Sequence, residues 1–242
     1  MDSPVKKSHI RLEGRDPLRQ GPAEEAVARI LRAVFADRPG PVIVAIGGPG
    51  GTGKTTFARN LANRLGDAAT LALDDYKAPR IYRQRAGLFG PHPRANKMNL
   101  IADHLARVRR GEAFDKPVYD SAIGDAGQSE TYRPARFNLA EGEVSTYPRF
   151  RGLVDFAVFI DADLRTQLAT RLGRDIEQRN YTREKALATF LHSNLQEFPA
   201  FGAEGKAWAD ACLFCRADYR LEIEAVCCAA HGVAAKAAVG RA

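Results

Sequence analysis

This chain predicts an α/β fold: a doubly wound, mostly parallel sheet with helices on both faces. Three observations carry that reading. Of its 242 residues, 45% are hydrophobic and 27% charged, an ordinary balance for a globular chain long enough to bury a core without disulfides or metal. Short apolar, β-branched runs alternate with stretches of helical periodicity. At one strand-to-helix junction, Gly48-Pro49-Gly50-Gly51-Thr52-Gly53-Lys54-Thr55 fits the pattern G-x-x-x-x-G-K-[ST] at every fixed position.

Residues 1–21 are polar and aperiodic and predict an N-terminal arm ahead of one domain over 22–242. Pro22 to Asp37 reads as a helix, with Val27, Ile30, Leu31, Val34 and Phe35 on one stripe and Glu24 and Glu25 in its first turn. Arg38-Pro39-Gly40-Pro41 breaks it. Pro41 to Ile46 is a buried strand, and Thr56 to Leu65 a helix ended by Gly66. Ala69 to Leu73 is a second strand that runs into Asp74-Asp75-Tyr76-Lys77. Asn99 to Arg110 is helical and stops at Gly111. Phe114 to Asp120 is extended, and Ser121 to Arg136 reads as a loop or hairpin insertion. Arg136 to Ala140 is a third sheet strand, weakened by Asn138 and followed by Glu141-Gly142. Leu153 to Ile160 is a strong strand ending at Asp161. Asp163 then caps a helix to about Gln178, with Leu164, Leu168, Leu172 and Ile176 expected to be buried. Thr182 opens another helix, bearing Ala186, Leu187, Phe190, Leu191 and Leu195. Pro199 to Lys206 is irregular, Trp208 to Phe214 closes the sheet, and the alanine-rich residues 222–242 form a last helix.

Strand, glycine turn and helix N-terminus together make a phosphate-binding loop. Gly48, Gly50, Gly51 and Gly53 let several backbone N–H groups, with those of Thr52 and Thr56, converge on one anion, and the helix N-terminus adds partial positive charge. Lys54 reaches toward the β and γ phosphates, and the Thr55 hydroxyl toward Mg²⁺. Gly48, Gly50 and Gly53 also satisfy G-x-G-x-x-G, with Asp74 about 20 residues further on, as a dinucleotide fold wants. Lys54-Thr55 separates the two readings: a triphosphate needs that pair and a dinucleotide does not. Asp74 and Asp75 stand at the carboxyl end of a strand, where open α/β sheets bind ligands, so Asp74 is a candidate metal ligand or general base. Asp75 could equally cap a turn. Tyr76 to Arg85 is the densest basic stretch, with Lys77, Arg80, Arg83 and Arg85; it could hold an anionic group or be a solvated loop.

The net charge of +7 admits nucleic-acid binding, but the basic residues are dispersed with no aromatic-interleaved stripe. A phosphate-handling enzyme, with no nucleic-acid partner, is the simpler expectation. No apolar run approaches a membrane span and no signal peptide is read, which predicts a cytoplasmic protein without a membrane partner; a homo-oligomer is compatible with the sequence. Cys212 and Cys215 form a C-x-x-C inside a strand, where residues three apart face opposite ways, so the four cysteines read as buried and reduced.

From about Pro41 to Cys215 the chain resembles the uridine kinase and phosphoribulokinase family of P-loop small-molecule kinases. Beyond the phosphate loop, the resemblance rests on Leu73-Asp74-Asp75-Tyr76, on His92-Pro93-Arg94-Ala95, and on Gly111 through Pro117-Val118-Tyr119-Asp120. It continues in Glu141-Gly142, Phe159-Ile160-Asp161-Ala162-Asp163, and Arg171-Leu172-Gly173-Arg174-Asp175 with Arg179. The resemblance implies a P-loop NTPase fold with an arginine-bearing lid at about 165–205, ATP and Mg²⁺ as cofactors, and a small-molecule hydroxyl as acceptor. It implies Asp74 as the base, Glu141 with Thr55 and Asp74 around the metal, and Lys54, Arg171, Arg174 and Arg179 around the nucleotide and transferring phosphoryl group. Tyr76, Arg80, Arg83, His92, Tyr119 and Glu141 become acceptor-side candidates. Three departures touch the acceptor. No His follows Tyr119-Asp120, the aromatic pair after the family's Asp is reduced to Tyr76-Lys77, and Pro91, Arg94 and Lys97 replace carboxylates. The shift from acidic to basic favours an anionic acceptor, such as a sugar phosphate or acid, over a neutral nucleoside. A regulatory nucleotide-binding protein is the alternative of another class.

Overall fold

The computed structural model describes residues 7–14 and 16–239; the ends of the expected arm and of the tail lie outside the described residues. In chain order the strands are β1 (His9–Arg11), β2 (Val42–Gly47), β3 (Ala68–Ala72), β4 (Phe114–Asp120), β5 (Asp125–Tyr132), β6 (Phe137–Glu141), β7 (Phe156–Ala162), β8 (Ala211–Cys215) and β9 (Leu221–Cys227). The helices are α1 (Ala23–Val34), α2 (Lys54–Leu65), α3 (Arg80–Arg85), α4 (Met98–Arg109), α5 (Leu164–Glu177), α6 (Arg183–His192), α7 (Phe198–Phe201), α8 (Gly205–Trp208) and α9 (Cys228–Val239).

The main sheet has the order β1-β9-β8-β7-β2-β6-β3. It is parallel from β3 to β8, and β9 and β1 add on antiparallel. β2 is buried along its whole length because both faces are covered, as a central parallel strand requires. Val42, Val44 and Ile46 pack with α1, α2 and α9 side chains such as Ile30, Leu31, Phe57, Leu61 and Ala230. Ile43 points the other way, to Ile101, Leu105 and Val108 of α4, and Ala45 to Trp208 and Phe198. The doubly wound expectation holds.

Several local expectations change. The arm is part of the fold: β1 pairs with β9, and Leu12 and Leu18 are buried against α1. Of the two readings open for residues 121–136 the hairpin is the one formed: Asp125–Tyr132 is its second limb, β5, paired with β4 and separate from the main sheet. β8 does not close the sheet, and the alanine-rich tail begins as β9 before turning helical; Ile223 and Val226, three residues apart, both enter the core because the pairing with β8 shifts register between them. Cys212, Cys215 and Cys227 are buried free thiols, whereas Cys228 is exposed. Among the described residues no helix is long and apolar enough to cross a membrane.

Asn138, which made β6 a poor strand on paper, is buried because it closes a polar knot. Its Oδ1 accepts from the Tyr132 hydroxyl at 3.0 Å and the Ala135 N–H at 3.1 Å, and its Nδ2 donates to the Ala135 carbonyl at 2.8 Å. Asn138→Leu improves the strand pattern but strands these groups. It should destabilise the protein by about 2 kcal/mol, read as a lower urea midpoint at unchanged slope.

Candidate functional site

Register assembles the site. Ile46 of β2 and Ala72 of β3 both pair with Glu141 at the end of β6. Two residues beyond Ile46 the glycine loop begins, and two beyond Ala72 comes Asp74. The loop, Asp74 and Glu141 therefore emerge side by side at the carboxyl edge of the sheet.

The loop needs its glycines for space as well as for conformation. Gly48 has φ +134°, and a Cβ there would lie 2.0 Å from the Ile160 carbonyl oxygen of β7. Gly53 caps α2 in the left-handed region at φ 81°. Lys54 and Thr52 donate to the Pro49 carbonyl, at 2.7 and 3.0 Å, so the lysine lies across the loop it serves. Burial lowers the Lys54 ammonium from its ordinary value, and Glu143, Glu141 and Asp74 oppose the shift. Thr55 donates to both Glu141 oxygens at 3.3 Å. Thr56 is exposed and, with Gly53, Asn60, Thr170, Tyr219 and Leu221, lines a cavity of about 830 Å³ beside the loop.

The carboxylates differ in surroundings. The Asp74 side chain is 57% exposed, and Lys77 Nζ at 2.8 Å holds its carboxyl well below the usual range. Glu141 is buried, and desolvation, with Asp74 nearby, pushes it up to about 7. Asp75 is structural, accepting from Lys116 Nζ at 2.6 Å and the Tyr119 N–H at 3.1 Å.

Tyr76, a proposed acceptor contact, does not face the cleft. It is fully buried, with its hydroxyl hydrogen-bonded to His104 Nδ1 at 2.7 Å. The 3₁₀ turn Leu73–Tyr76 sends Leu73 and Tyr76 inward together and leaves Asp74 outside. Arg83 donates to the Tyr119 hydroxyl at 2.6 Å and to the Ala78 carbonyl at 2.8 Å, while Arg80 donates to the Ser121 carbonyl. These two arginines brace α3 against the β4–β5 hairpin. His92 accepts from the Arg94 N–H at 3.0 Å and sets its ring edgewise to Phe201.

The lid helices turn a different face inward from the one expected. In α5, Thr166, Gln167, Arg171 and Asp175 are buried, whereas Leu164 and Ile176 are exposed; in α6 and the turn after it, Leu187, Leu191 and Leu195 are exposed. The reason is what α5 covers. A Cβ on Gly51 would sit 2.6 Å from the Gln167 carbonyl, so this helix lies on the polar loop rather than on an apolar core. Arg171 is committed to Glu143 at 3.2 Å, Ser193 at 3.3 Å and Asn194 at 3.0 Å. Arg174 and Arg179 converge on Asp175 at 3.3 and 3.1 Å. Glu143, Asp175 and Asn194 were absent from the sequence-derived site. Glu143 had a signal, a second carboxylate two residues past Glu141; Asn194 had none, because its role exists only once the lid is folded over the loop.

The raised pKa of Glu141 carries a stability prediction. The folded protein keeps that proton when the unfolded chain, with an ordinary value near 4.5, has lost it, so stability falls as pH rises from about 4.5 to about 7. Glu141→Gln removes the term. Without metal, the variant should be more stable than the parent by about 1–3 kcal/mol at pH 8 and equal to it at pH 4, measured by thermal melts at both pH values.

A sequence model described as the phosphoribulokinase / uridine kinase family matches residues 43–214. A phosphoribulokinase of Synechocystis is 31% identical over 173 residues, 70% of this chain and 52% of that protein, so the chain spans about half its length. A uridine kinase of Oceanobacillus iheyensis is 27% identical over 177 residues, 70% of this chain and 84% of that protein. In fold, the D-glycerate 3-kinase of Cryptococcus neoformans superposes with a TM-score of 0.66 at 15% identity, covering 84% of this chain and 99% of that one. By the reach of the family match and the site it encloses, the chain belongs to the phosphoribulokinase / uridine kinase family.

Proposed function

We propose that this protein is an ATP- and Mg²⁺-dependent kinase that transfers the γ-phosphoryl group to a hydroxyl of a small metabolite. The observation that carries the reading is the juxtaposition, at one sheet edge, of the loop with Lys54, the Thr55–Glu141 pair and the solvent-open Asp74. Phosphoryl transfer asks for positioning and charge rather than covalent chemistry from the protein.

The residues fit the metal. Glu141 is a buried carboxylate whose bonded partner is a single hydroxyl 3.3 Å away, a charge in want of a hard cation. Among the described residues no group of three or more His, Cys, Asp or Glu forms a protein-only cage, which suits an ion that keeps waters and takes substrate phosphates. Thr55 and Glu141 would hold Mg²⁺, which supplies charge neutralisation on the phosphates. Lys54 and the loop amides orient the phosphates, and the cavity lined by Thr56 and Thr170 takes the nucleoside end. Asp74, kept ionised by Lys77, accepts the acceptor hydroxyl's proton. Arg174 lies on the lid near enough for its charge to act on Lys54 and Asp74, with Arg179 beside it on Asp175, while Arg171 acts as a strut between lid and loop.

The finer reading is an anionic acceptor, a sugar phosphate or hydroxy acid. Lys77 supports it, since a cation beside the base can also meet an acceptor's negative group. ADP release from Mg-ATP is the test, against uridine and cytidine on one side and ribulose 5-phosphate and glycerate on the other. Acceptor-dependent release supports the kinase reading, and the better acceptor names the class. Release that ignores every acceptor moves the protein to the regulatory class. Two variants check the roles. Lys54→Ala should cut turnover by about 10²–10³-fold, and Asp74→Asn by about 10²–10⁴-fold with nucleotide affinity kept. Near-normal turnover in Asp74→Asn rejects it as the base.

A further inference from the structure

Between α6 and α7 the chain makes a π-turn, Ser193–Glu197. Such insertions disturb the regular helix ladder and gather at functional sites. Here its two ends bind different parts of the cleft. Asn194 is buried, and its Nδ2 donates to the Gly50 carbonyl at 2.8 Å and to Gln167 Oε1 at 2.9 Å, while its Oδ1 accepts from Arg171. This one side chain ties the lid to the second glycine of the phosphate loop. Glu197 accepts the Phe89 N–H with both oxygens at 3.1 Å. The Phe89 ring also stacks on His192, centroids 5.0 Å apart and planes 5° from parallel.

The segment so held, residues 87–93, borders the base. A Cβ on Gly90 would lie 2.3 Å from Glu143 Oε2 and 3.5 Å from Lys77 Nζ, and Lys77 is the partner of Asp74. An unbroken chain of contacts therefore runs from Gly50 through Asn194 and Glu197 to Phe89 and the rim of the acceptor side.

We propose that the π-turn is a positioning element that couples the phosphate loop to the acceptor-side segment 87–93, with Asn194 and Glu197 as its two ends. The proposal rests on the kinase reading above. An anion drawing the loop amides inward fixes the Gly50 peptide and with it Asn194. The turn, held at both ends, then restrains the Phe89 amide. The acceptor rim is set only when the nucleotide is seated, which limits transfer to water.

Hydrogen exchange of the full chain, with and without the non-hydrolysable analogue Mg-AMP-PNP, tests it. In the parent, amides of 48–56 should be protected, and those of 87–93 should slow at least about fivefold. Glu197→Ala should keep the protection at 48–56 and lose that at 87–93. Glu197→Gln, whose amide oxygen still accepts the Phe89 N–H, should restore it. Asn194→Ala, cutting the other end, should also uncouple 87–93. Protection of 48–56 without any at 87–93 in the parent overturns the coupling. Protection at 87–93 that survives Glu197→Ala or Asn194→Ala overturns the part given to that residue. If neither segment responds to the analogue, the nucleotide reading itself fails, and this proposal with it.

Discussion

Parallel pairing sets Ile46 and Ala72 on either side of Glu141, and the chemistry of this edge depends on that register. Side chains alternate along a strand, so a slip of one residue would turn Glu141 from the phosphate-loop side toward the side where Ala140 meets α4. The apolar partition enforces the register. Leu139 lies in the core under α1 and α2, and Ala140 in the core under α4, so no shifted pairing keeps both buried correctly. A buried carboxylate that is costly on its own is thus held in place by the strands around it.

That cost is unevenly spread, and the unevenness is what supports the metal position proposed above. Asp74 has Lys77 at 2.8 Å, Glu143 has Arg171 at 3.2 Å, and Asp175 has Arg179 at 3.1 Å. Glu141, the buried carboxylate at the centre of the edge, has a hydroxyl instead of a cation as its bonded partner. A charge pair at bonding distance offsets desolvation by several kcal/mol at the effective dielectric of a protein. Glu141 has only the more distant charges of Lys54 and Lys77 to offset its burial and is driven up in pKa, while its neighbour Asp74 is driven down. Two carboxylates on adjoining strands, pushed apart in proton affinity, suit the proposed division: one for a cation and one for a proton.

How much of this was legible in the sequence follows from the range of each interaction. The phosphate loop, Asp74 and Glu141 were readable because each is a local motif at a strand end, and the strands betray themselves by apolar content. The lid was not. Helical periodicity located α5 and its Asp163 cap, but periodicity reports that a helix has two faces, not what each one meets. The leucines suggested an inward stripe; the loop beneath α5 is polar, so Thr166, Gln167, Arg171 and Asp175 turned in. Asn138 misled in the same manner, its polar side chain answering a knot with Tyr132 and Ala135 that only the fold creates. Tyr76 shows the limit of motif transfer: the motif placed Asp74 in the cleft and its neighbour two residues on in the core.

The polar inner face of the lid has an energetic consequence for ligand binding. Arg171 is buried on Glu143, whereas Arg174 and Arg179 stay partly exposed and share the buried carboxylate of Asp175. In the proposed reaction an entering phosphate would find both of these guanidinium groups already paired with a carboxylate. It competes with Asp175 for Arg174 and Arg179, and the gain is the difference between a phosphate and a carboxylate as partner. Such exchange yields less raw affinity than capture by a solvated arginine would. It would also leave donors prepositioned, so that the proposed transfer would require little reorganisation as charge develops. The same bookkeeping explains why the strut, Arg171, is the most buried of the three. Its Nη1 reaches Glu143, Ser193 and Asn194 at once and so holds lid and loop in register, while its buried Nε has no hydrogen-bond partner.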